Sequence, residues 1–198
     1  MKKQVKLLAL LSMVLVTLAF AQVTETQVID FSPSIPKKPV KQGVCLGSSI
    51  TVPRFGAWVC AADRESYDPC FSDPTVSGAV VCGADPAQEN PGFRLELMQL
   101  LPAEQGLPPL PDEAWMMRLE NGLVCKAVAG PQRIINQVGV IGFICDEPGL
   151  LGGVNTGLLK ELQVGSVWQA HLVRYTVQAG EYQLKDELLQ LPLETVWR

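Results

Sequence analysis

The segment Leu189–Trp197 reads LQLPLETVW, and its alternation of apolar and polar residues is the clearest structural signal in the chain. One face of the expected strand carries Leu189, Leu191, Leu193, Thr195 and Trp197, and the other carries Gln190, Pro192 and Glu194. Side chains that alternate in this way predict a strand with one buried and one solvated face. Because Pro192 has no N–H to donate, we expect an edge strand.

Working outward from this segment, Leu119–Cys125 (LENGLVC) contains Asn121-Gly122, the strongest hairpin signal in the chain. Further apolar runs complete a second β half at residues 114–198. Its expected strands are Trp115–Leu119, Leu123–Ala129, Val138–Cys145, Val167–Val177, Tyr182–Lys185 and Leu189–Trp197. Residues 149–157 are expected to form a loop and residues 158–163 a single helical turn.

A first Cys-rich β half is expected at residues 43–101. Its short apolar or alternating runs are Ser49–Val52, Ala57–Cys60, Ala79–Cys82 and Phe93–Leu100, separated by clusters of Gly, Pro and Asp. A Pro-rich stretch at 102–113 is either a linker or a long surface loop. The pattern predicts a mostly β fold of short antiparallel strands. The architecture is a disulfide-stapled sandwich or barrel, as one domain or two subdomains.

The N-terminal 21 residues have the layout of a secretion signal. A basic start with Lys2, Lys3 and Lys6 precedes an apolar stretch at 7–20, which ends at the A-x-A motif Ala19-Phe20-Ala21. A retained anchor would need about 20 apolar residues, more than this stretch offers. We therefore expect cleavage before Gln22, and no integral membrane protein after cleavage. Residues 22–42 are polar and Pro-rich, which predicts a flexible spacer.

Six cysteines lie beyond the expected cleavage point. They are Cys45, Cys60, Cys70, Cys82, Cys125 and Cys145. An even number in an exported chain predicts three disulfides, and no pair has the close spacing of a zinc site. An antiparallel hairpin would place Cys125 opposite Cys145. For the other four, Cys45–Cys60 with Cys70–Cys82 is slightly favoured, and crossed pairing stays open.

The net charge argues against two classes of partner. Three of the 16 basic residues and none of the 20 acidic residues lie in the signal, so residues 22–198 have 13 basic and 20 acidic residues, a formal charge of −7. Nucleic-acid affinity comes from clustered Lys and Arg against phosphate, and no basic stripe follows Lys41. We expect neither nucleic acid nor an anionic membrane surface as a partner.

Several short pieces of the chain resemble a class of bacterial domains. The pieces are GAWVC at 56–60, YDPCF at 67–71, VVC at 80–82, LENGLVC at 119–125, LG at 151–152, VWQA at 167–170 and TVW at 195–197. In this order they resemble small Cys-containing extracytoplasmic domains of bacterial secreted proteins and surface lipoproteins. The resemblance covers residues 43–198. It implies an extracytoplasmic, disulfide-bearing fold, and no activity. Unlike the lipoproteins, this chain has no cysteine at the cleavage point to carry a lipid.

Candidate catalytic residues are few. The single histidine, His171, would have to serve any Ser-His-Asp or Cys-His system, and a position on a strand surface accounts for it better. Five acidic residues crowd the segment between Cys60 and Asp85, namely Asp63, Glu65, Asp68, Asp73 and Asp85. Paired carboxylates can catalyse glycoside hydrolysis, and carboxylate oxygens can bind Ca²⁺. The steps Asp68-Pro69 and Asp73-Pro74, however, are typical of turns. We therefore expect no catalytic, metal or cofactor site.

Two other groups of residues have a structural and a functional interpretation. The Gly-rich segments 139–142 and 149–157 lack a nucleotide-binding motif. Trp58, Trp115, Trp168 and Trp197 could form a binding platform, but each lies in an apolar strand. We expect them in the core because tryptophan is on average highly buried.

The sequence therefore predicts a secreted or periplasmic, non-enzymatic binding or structural protein. Its partner would be a protein or another component of the bacterial envelope or exterior. One alternative is an envelope hydrolase that uses the acidic segment between Cys60 and Asp85. A second is a proteinase inhibitor that presents Leu107-Pro108-Pro109-Leu110 on an exposed loop.

Overall fold

A computed structural model describes residues 24–103, 113–131, 133–147 and 153–198. The expected signal peptide with its cleavage point at Gln22, and the loop at 107–110, lie outside these residues. The described chain is mostly β-strand and its one helical element is the 3-10 turn Pro86–Gln88. None of its helices has the length and apolarity needed to cross a bilayer. The predicted β fold class is confirmed.

The first unit is a closed five-stranded barrel. Its strands are β2 (Val40–Ser48), β3 (Ala57–Ala62), β4 (Glu65–Ser72), β5 (Ala79–Cys82) and β6 (Phe93–Leu97). Successive strands pair antiparallel, and a parallel pairing of β2 with β6 closes the ring. Closure leaves no free sheet edge and surrounds a core that includes Trp58, Val80 and Leu95.

The second unit is a nine-stranded sheet. Its strands are β1 (Gln27–Ile29), β7 (Met116–Leu119), β8 (Val124–Ala127), β9 (Arg133–Ile135), β10 (Gly139–Cys145), β11 (Asn155–Leu159), β12 (Gln169–Gln178), β13 (Glu181–Leu184) and β14 (Leu189–Trp197). Their order is β1-β14-β7-β8-β10-β11-β12-β13-β9, with further pairings of β14 with β12 and β10 with β9. These two pairings close the sheet into two rings that share β10, β11 and β12.

Each ring of the second unit encloses its own core. The larger core includes Met117, Leu158 and Val196, and the smaller one includes Ile135 and Tyr175. Strand β10 serves both rings because its first residues pair with β9 and its last residues with β8. The change of partner falls at an irregularity of β10 around Gly142.

The final strand forms as predicted but is not at an edge. β14 spans Leu189–Trp197, and its alternation of buried and exposed residues runs from Leu193 to Thr195. Pro192 lies opposite Gln169 of β12, and its carbonyl accepts from Glu120. Pro192 is the last residue of β14 that pairs with β12, and the pairing with β7 begins at the next residue, Leu193. Because β14 has neighbouring strands on both sides, the edge prediction is wrong.

The expected flexible spacer at 22–42 differs from the structure at both of its described ends. β1 pairs in parallel with β14, with Val28 opposite Val196, and β2 already begins at Val40. Phe31 packs into the core between the units. The pairing of β1 with β14 and the packing of Phe31 hold this polar, Pro-rich segment in place. Neither contact produces a periodic pattern of apolar residues in the sequence.

Three other segments differ from their predicted structure. Ser49–Val52 is a turn, because the Asp68 carboxylate accepts from the backbone N–H groups of Ile50 and Thr51. In the segment 158–163, Leu158 and Leu159 belong to β11, so the predicted helical turn is wrong. The acidic segment 65–72 forms β4, where we expected turns.

The two units are joined by a buried apolar contact. The first unit contributes Val52, Ala57 and Phe71, and the second contributes Trp115, Met116 and Trp197, all buried. Within this contact, Phe31, Phe71 and Trp115 form a triangle with ring centroids 5.4 to 5.6 Å apart. Apolar burial of this kind supplies most of the free energy that holds two packed elements together.

Candidate functional site

The disulfides agree with the favoured pairing from the sequence. The bonds are Cys45–Cys60, Cys70–Cys82 and Cys125–Cys145. Each joins residues directly opposite one another on paired strands. The prediction that the two halves are separately cross-linked is confirmed, with two disulfides in the first unit and one in the second.

The acidic residues of the segment between Cys60 and Asp85 are spread over four structural positions. Asp63 and Glu65 face Lys41, with oxygen–nitrogen distances of 3.2 and 3.8 Å. Asp68 accepts from Ser49 and from the turn that follows β2. Asp73 accepts from both the N–H and the hydroxyl of Thr75, which lowers the pKa of the Asp73 carboxyl.

Asp85 lies at the fourth position. Its Oδ1 accepts from the backbone N–H groups of Ala87 and Gln88 at 3.1 and 3.2 Å, and so caps the 3-10 turn. Its Oδ2 lies 2.7 Å from Nζ of Lys126 in the second unit. Of the five carboxylates, Asp63 and Glu65 share Lys41 and the other three contact separate partners, in turns, a cap and an ion pair.

His171 and the tryptophans have separate places in the fold. His171 is half-buried on β12, opposite Gln190 of β14. Trp58, Trp115, Trp168 and Trp197 are all buried, so their predicted core position is confirmed. The Nε1 atoms of Trp58 and Trp115 are nevertheless buried without a hydrogen-bond partner in the described structure.

A cleft of about 510 Å³ opens where the two units meet. The first unit supplies the turn at 50–54. The second supplies the segments around Trp115, Val128, Gly142 and Lys160, together with Arg198. Its volume lies in the usual range of small-molecule sites, about 300–1,000 Å³. Side chains from both units form its walls, so the packing between the units determines its shape.

Apolar groups line much of this cleft. Val52 and Trp115 belong to the buried contact between the units, and Phe143 and Leu162 to the larger core of the second unit or its border. These side chains are held by rigid strand packing, so the cleft is preformed. Trp115 also lines the cleft, and its Nε1 is buried without a hydrogen-bond partner in the described structure.

Arg54 is the polar residue that links the two units beside the cleft. Its guanidinium donates to the backbone oxygen of Arg198 at 3.0 Å and to that of Phe31. It also lies over the Phe71 ring, 5.2 Å from the centroid. Burial lowers the pKa of Arg54, and the nearby Asp30 carboxylate acts in the opposite direction. Its Nε is buried without a partner in the described structure.

The charges of the cleft lining oppose the overall charge of the chain. Arg54, Arg133, Lys160 and Arg198 line it, against one acidic residue, Glu113. Arg198 is held by Asp30, whose Oδ1 lies 2.7 Å from its Nε, and this hydrogen bond lowers the pKa of Asp30. Residues 22–198 carry a formal −7, so the cleft is a local concentration of positive charge on an acidic protein.

Sequence reasoning did not find the cleft. Its basic residues come from four distant positions, and the Gly-rich segment at 139–142 carries no nucleotide-binding motif. Pro53-Arg54-Phe55-Gly56 has the composition of a turn, which alone does not indicate that Arg54 crosses to another unit. A comparison of the chain with protein-family models, curated proteins and solved structures finds no match.

Proposed function

We propose that this chain is an extracytoplasmic, non-enzymatic binding protein whose ligand site is the cleft between the two β units. The observation that carries the proposal is the cleft itself. Preformed walls from both units enclose about 510 Å³, and Arg54 and Trp115, two of its lining residues, have buried N–H groups without a partner. Concave, mostly apolar sites with a few polar groups are where proteins bind small molecules.

The extracytoplasmic part of the proposal has two supports. Three disulfides are typical of chains that fold in an oxidising compartment. The N-terminal 21 residues have the order of a secretion signal. The test is the mass of the N-terminal peptide of the exported protein. We expect a chain that begins at Gln22, and an exported chain that retains Lys2–Lys6 would contradict cleavage.

The non-enzymatic part is supported by what the candidate catalytic residues do. Glycoside hydrolysis uses two carboxyl groups that flank one bond. The carboxylates of residues 63–85 instead contact Lys41, Lys126 and the backbone of separate turns. An activity screen on envelope glycans tests the hydrolase alternative with Asp63→Asn, Asp68→Asn and Asp85→Asn. We expect no turnover by the wild type, and turnover that one of these variants abolishes would establish the alternative.

The binding proposal is tested with a small-molecule library on the protein from residue 22 onward. The readouts are the thermal unfolding midpoint and the NMR signal of the Trp115 indole N–H. We expect a subset of compounds to raise the midpoint and to shift that signal, since a ligand that binds only the folded state stabilises it.

Trp115→Phe and Trp58→Phe form a matched pair for this experiment. Both tryptophans are buried with an unpaired Nε1, but only Trp115 lines the cleft. We expect Trp115→Phe to weaken binding and Trp58→Phe to leave it unchanged. A library without a single binder, or equal losses in the two variants, would refute the cleft as the ligand site.

A further inference from the structure

The cleft also contains information about the chemistry of its ligand. Among the charged residues that line it, four are basic and one is acidic. Low-dielectric walls concentrate the field of such groups and raise the local concentration of counter-ions. A cleft of this charge on a protein of formal −7 favours an anion over a cation or a neutral molecule of the same shape.

The four basic residues have different freedom to bind an anion. Arg54 already links the two units through the backbone oxygens of Phe31 and Arg198, and the Arg198 side chain is paired with Asp30. No salt bridge in the described residues involves Arg133 or Lys160. Lys160 is exposed and Arg133 half-buried, so both can meet an entering anionic group.

The position of Lys160 is fixed by the backbone at the irregularity of β10. Its N–H donates to the carbonyl of Val140 at 2.8 Å. An added Cβ on Gly142 would lie 2.7 Å from the Cα of Lys160, so the backbones of β10 and β11 approach closely here. Arg133, on β9, lies opposite Ile141 of β10. Arg133 and Lys160 therefore both lie beside the same irregular segment of β10, and both line the cleft.

The rest of the lining is suited to an apolar group. Ile50, Val128 and Leu162 line the cleft and keep part of their apolar surface exposed. A small inorganic anion would leave this surface wet and most of the cleft empty. We infer that the cleft selects an organic acid, in which a carboxylate meets Arg133 and Lys160 while an apolar body packs against Ile50, Val128 and Leu162.

This inference rests on the proposed function, and its test separates the two. Binding is measured by calorimetry for three carboxylates, benzoate, 2-naphthoate and decanoate, each beside its neutral amide, and for inorganic phosphate. A charge-assisted hydrogen bond contributes more than a neutral one, so we expect each carboxylate to bind at least about tenfold more tightly than its amide. Phosphate alone is expected not to bind, and added NaCl should weaken carboxylate binding.

Variants identify the contacts. Lys160→Gln and Arg133→Gln should each reduce carboxylate affinity several-fold and leave amide affinity unchanged. Lys185→Gln removes the same charge from an exposed residue outside the cleft lining and should change neither. Far-ultraviolet circular dichroism and the unfolding midpoint check that each variant folds.

The outcomes distinguish the inference from the proposed function. If amides bind as tightly as carboxylates, or if Lys185→Gln has the effect of Lys160→Gln, the preference for an acid is refuted while the cleft remains a binding site. Tight binding of phosphate would also refute the apolar requirement. If neither the six organic probes nor the small-molecule library binds, both the inference and the proposed function fail.

Discussion

Lys126 of β8 lies 2.7 Å from Oδ2 of Asp85, so a strand of the second unit is tied to the turn after β5 in the first. Asp85 is 8% exposed, and its other oxygen caps the 3-10 turn. Beside it, Arg118 donates to the carbonyl of Ala87 at 2.7 Å. The contact between the units therefore combines an apolar centre with polar ties to one turn.

Removing the Asp85 carboxylate is expected to destabilise the whole molecule. Asp85→Ala removes the cap of the 3-10 turn and the carboxylate that pairs with Lys126. We expect this to lower the free energy of unfolding by about 2–3 kcal/mol. Asp85→Asn keeps an oxygen for the cap and should cost about 1 kcal/mol. Chemical denaturation measures both. A double-mutant cycle with Lys126→Met should show coupling, and strictly additive effects would contradict the ion pair.

Two glycines of β2 provide a second test of packing. An added Cβ at Gly43 would lie 2.2 Å from the carbonyl oxygen of Ala61, whereas one at Gly47 would have no atom within 4 Å. We expect Gly43→Ala to lower the free energy of unfolding by more than about 3 kcal/mol or to prevent folding. Gly47→Ala should be neutral or stabilise by up to about 1 kcal/mol. Equal effects in denaturant melts would show that β2 and β3 are not packed as described.

The free energy of unfolding at acidic pH should depend on Glu147. The Thr156 hydroxyl donates to Oε2 of Glu147, and the Arg174 guanidinium donates to Oε1 at 2.8 Å. Both contacts lower the pKa of Glu147 below its ordinary value of 4.5. A lowered folded-state pKa gives stabilisation that is complete above the unfolded pKa and disappears as the pH falls through the folded one.

Glu147→Gln should therefore cost about 1 kcal/mol or less at neutral pH and nothing at about pH 2. The measurement is the unfolding free energy of both proteins across that range. Glu181→Gln removes an exposed carboxylate of β13 and serves as the control variant. A constant difference between wild type and Glu147→Gln at all pH values would contradict the ionic contact.

Much of the fold was predictable because local signals were strong. Asn121-Gly122 forms the predicted turn between β7 and β8, with Gly122 at a φ of +84°, a conformation that glycine adopts at little cost. Leu189–Trp197 and Ala79–Cys82 match their predicted bounds. In these segments the alternation of side chains and the turn residues indicate the same structure.

The other elements depend on distant partners. β1 exists because Thr195–Trp197 offers a strand for it to pair with, and Pro192 lies inside the sheet, opposite Gln169 of β12. The cleft needs Arg54, Arg133 and Lys160 to meet across two units. Contacts between residues this far apart leave no periodic pattern in the local sequence. The pairing of strands about 160 residues apart and the position of the cleft therefore could not be predicted from the sequence alone.

The disulfide of the second unit should carry a large part of its stability. Cys125 and Cys145 close a loop with a sequence separation of 20 residues. On the chain-entropy argument, such a cross-link stabilises by roughly 3 kcal/mol, a large share of the 5–15 kcal/mol typical of a domain. The double variant Cys125→Ser with Cys145→Ser should therefore melt at a much lower temperature, in a calorimetric scan, while staying soluble. A melting point equal to that of the wild type would contradict this role.

The disulfides of the first unit should exchange when one particular sulfur is freed. The sulfurs of Cys60, Cys70 and Cys82 all lie within 4.8 Å of one another in the barrel core, and in the described structure Cys45 is not part of this group. Cys45→Ser leaves the Cys60 thiol beside the Cys70–Cys82 bond. At about pH 9, above the ordinary thiol pKa of about 8.5, the Cys60 thiolate can attack that bond and release one of its two sulfurs as a thiolate.

Cys60→Ser is the matched control, since it breaks the same disulfide but frees Cys45 instead. Non-reducing peptide mapping after incubation should find Cys60 bonded to Cys70 or Cys82 in Cys45→Ser, and an unchanged Cys70–Cys82 bond in Cys60→Ser. The asymmetry follows from contact alone, because exchange requires the thiolate to reach a disulfide sulfur. Equal scrambling in the two variants would mean that the barrel opens before exchange, and that the packing of the two bonds does not direct it.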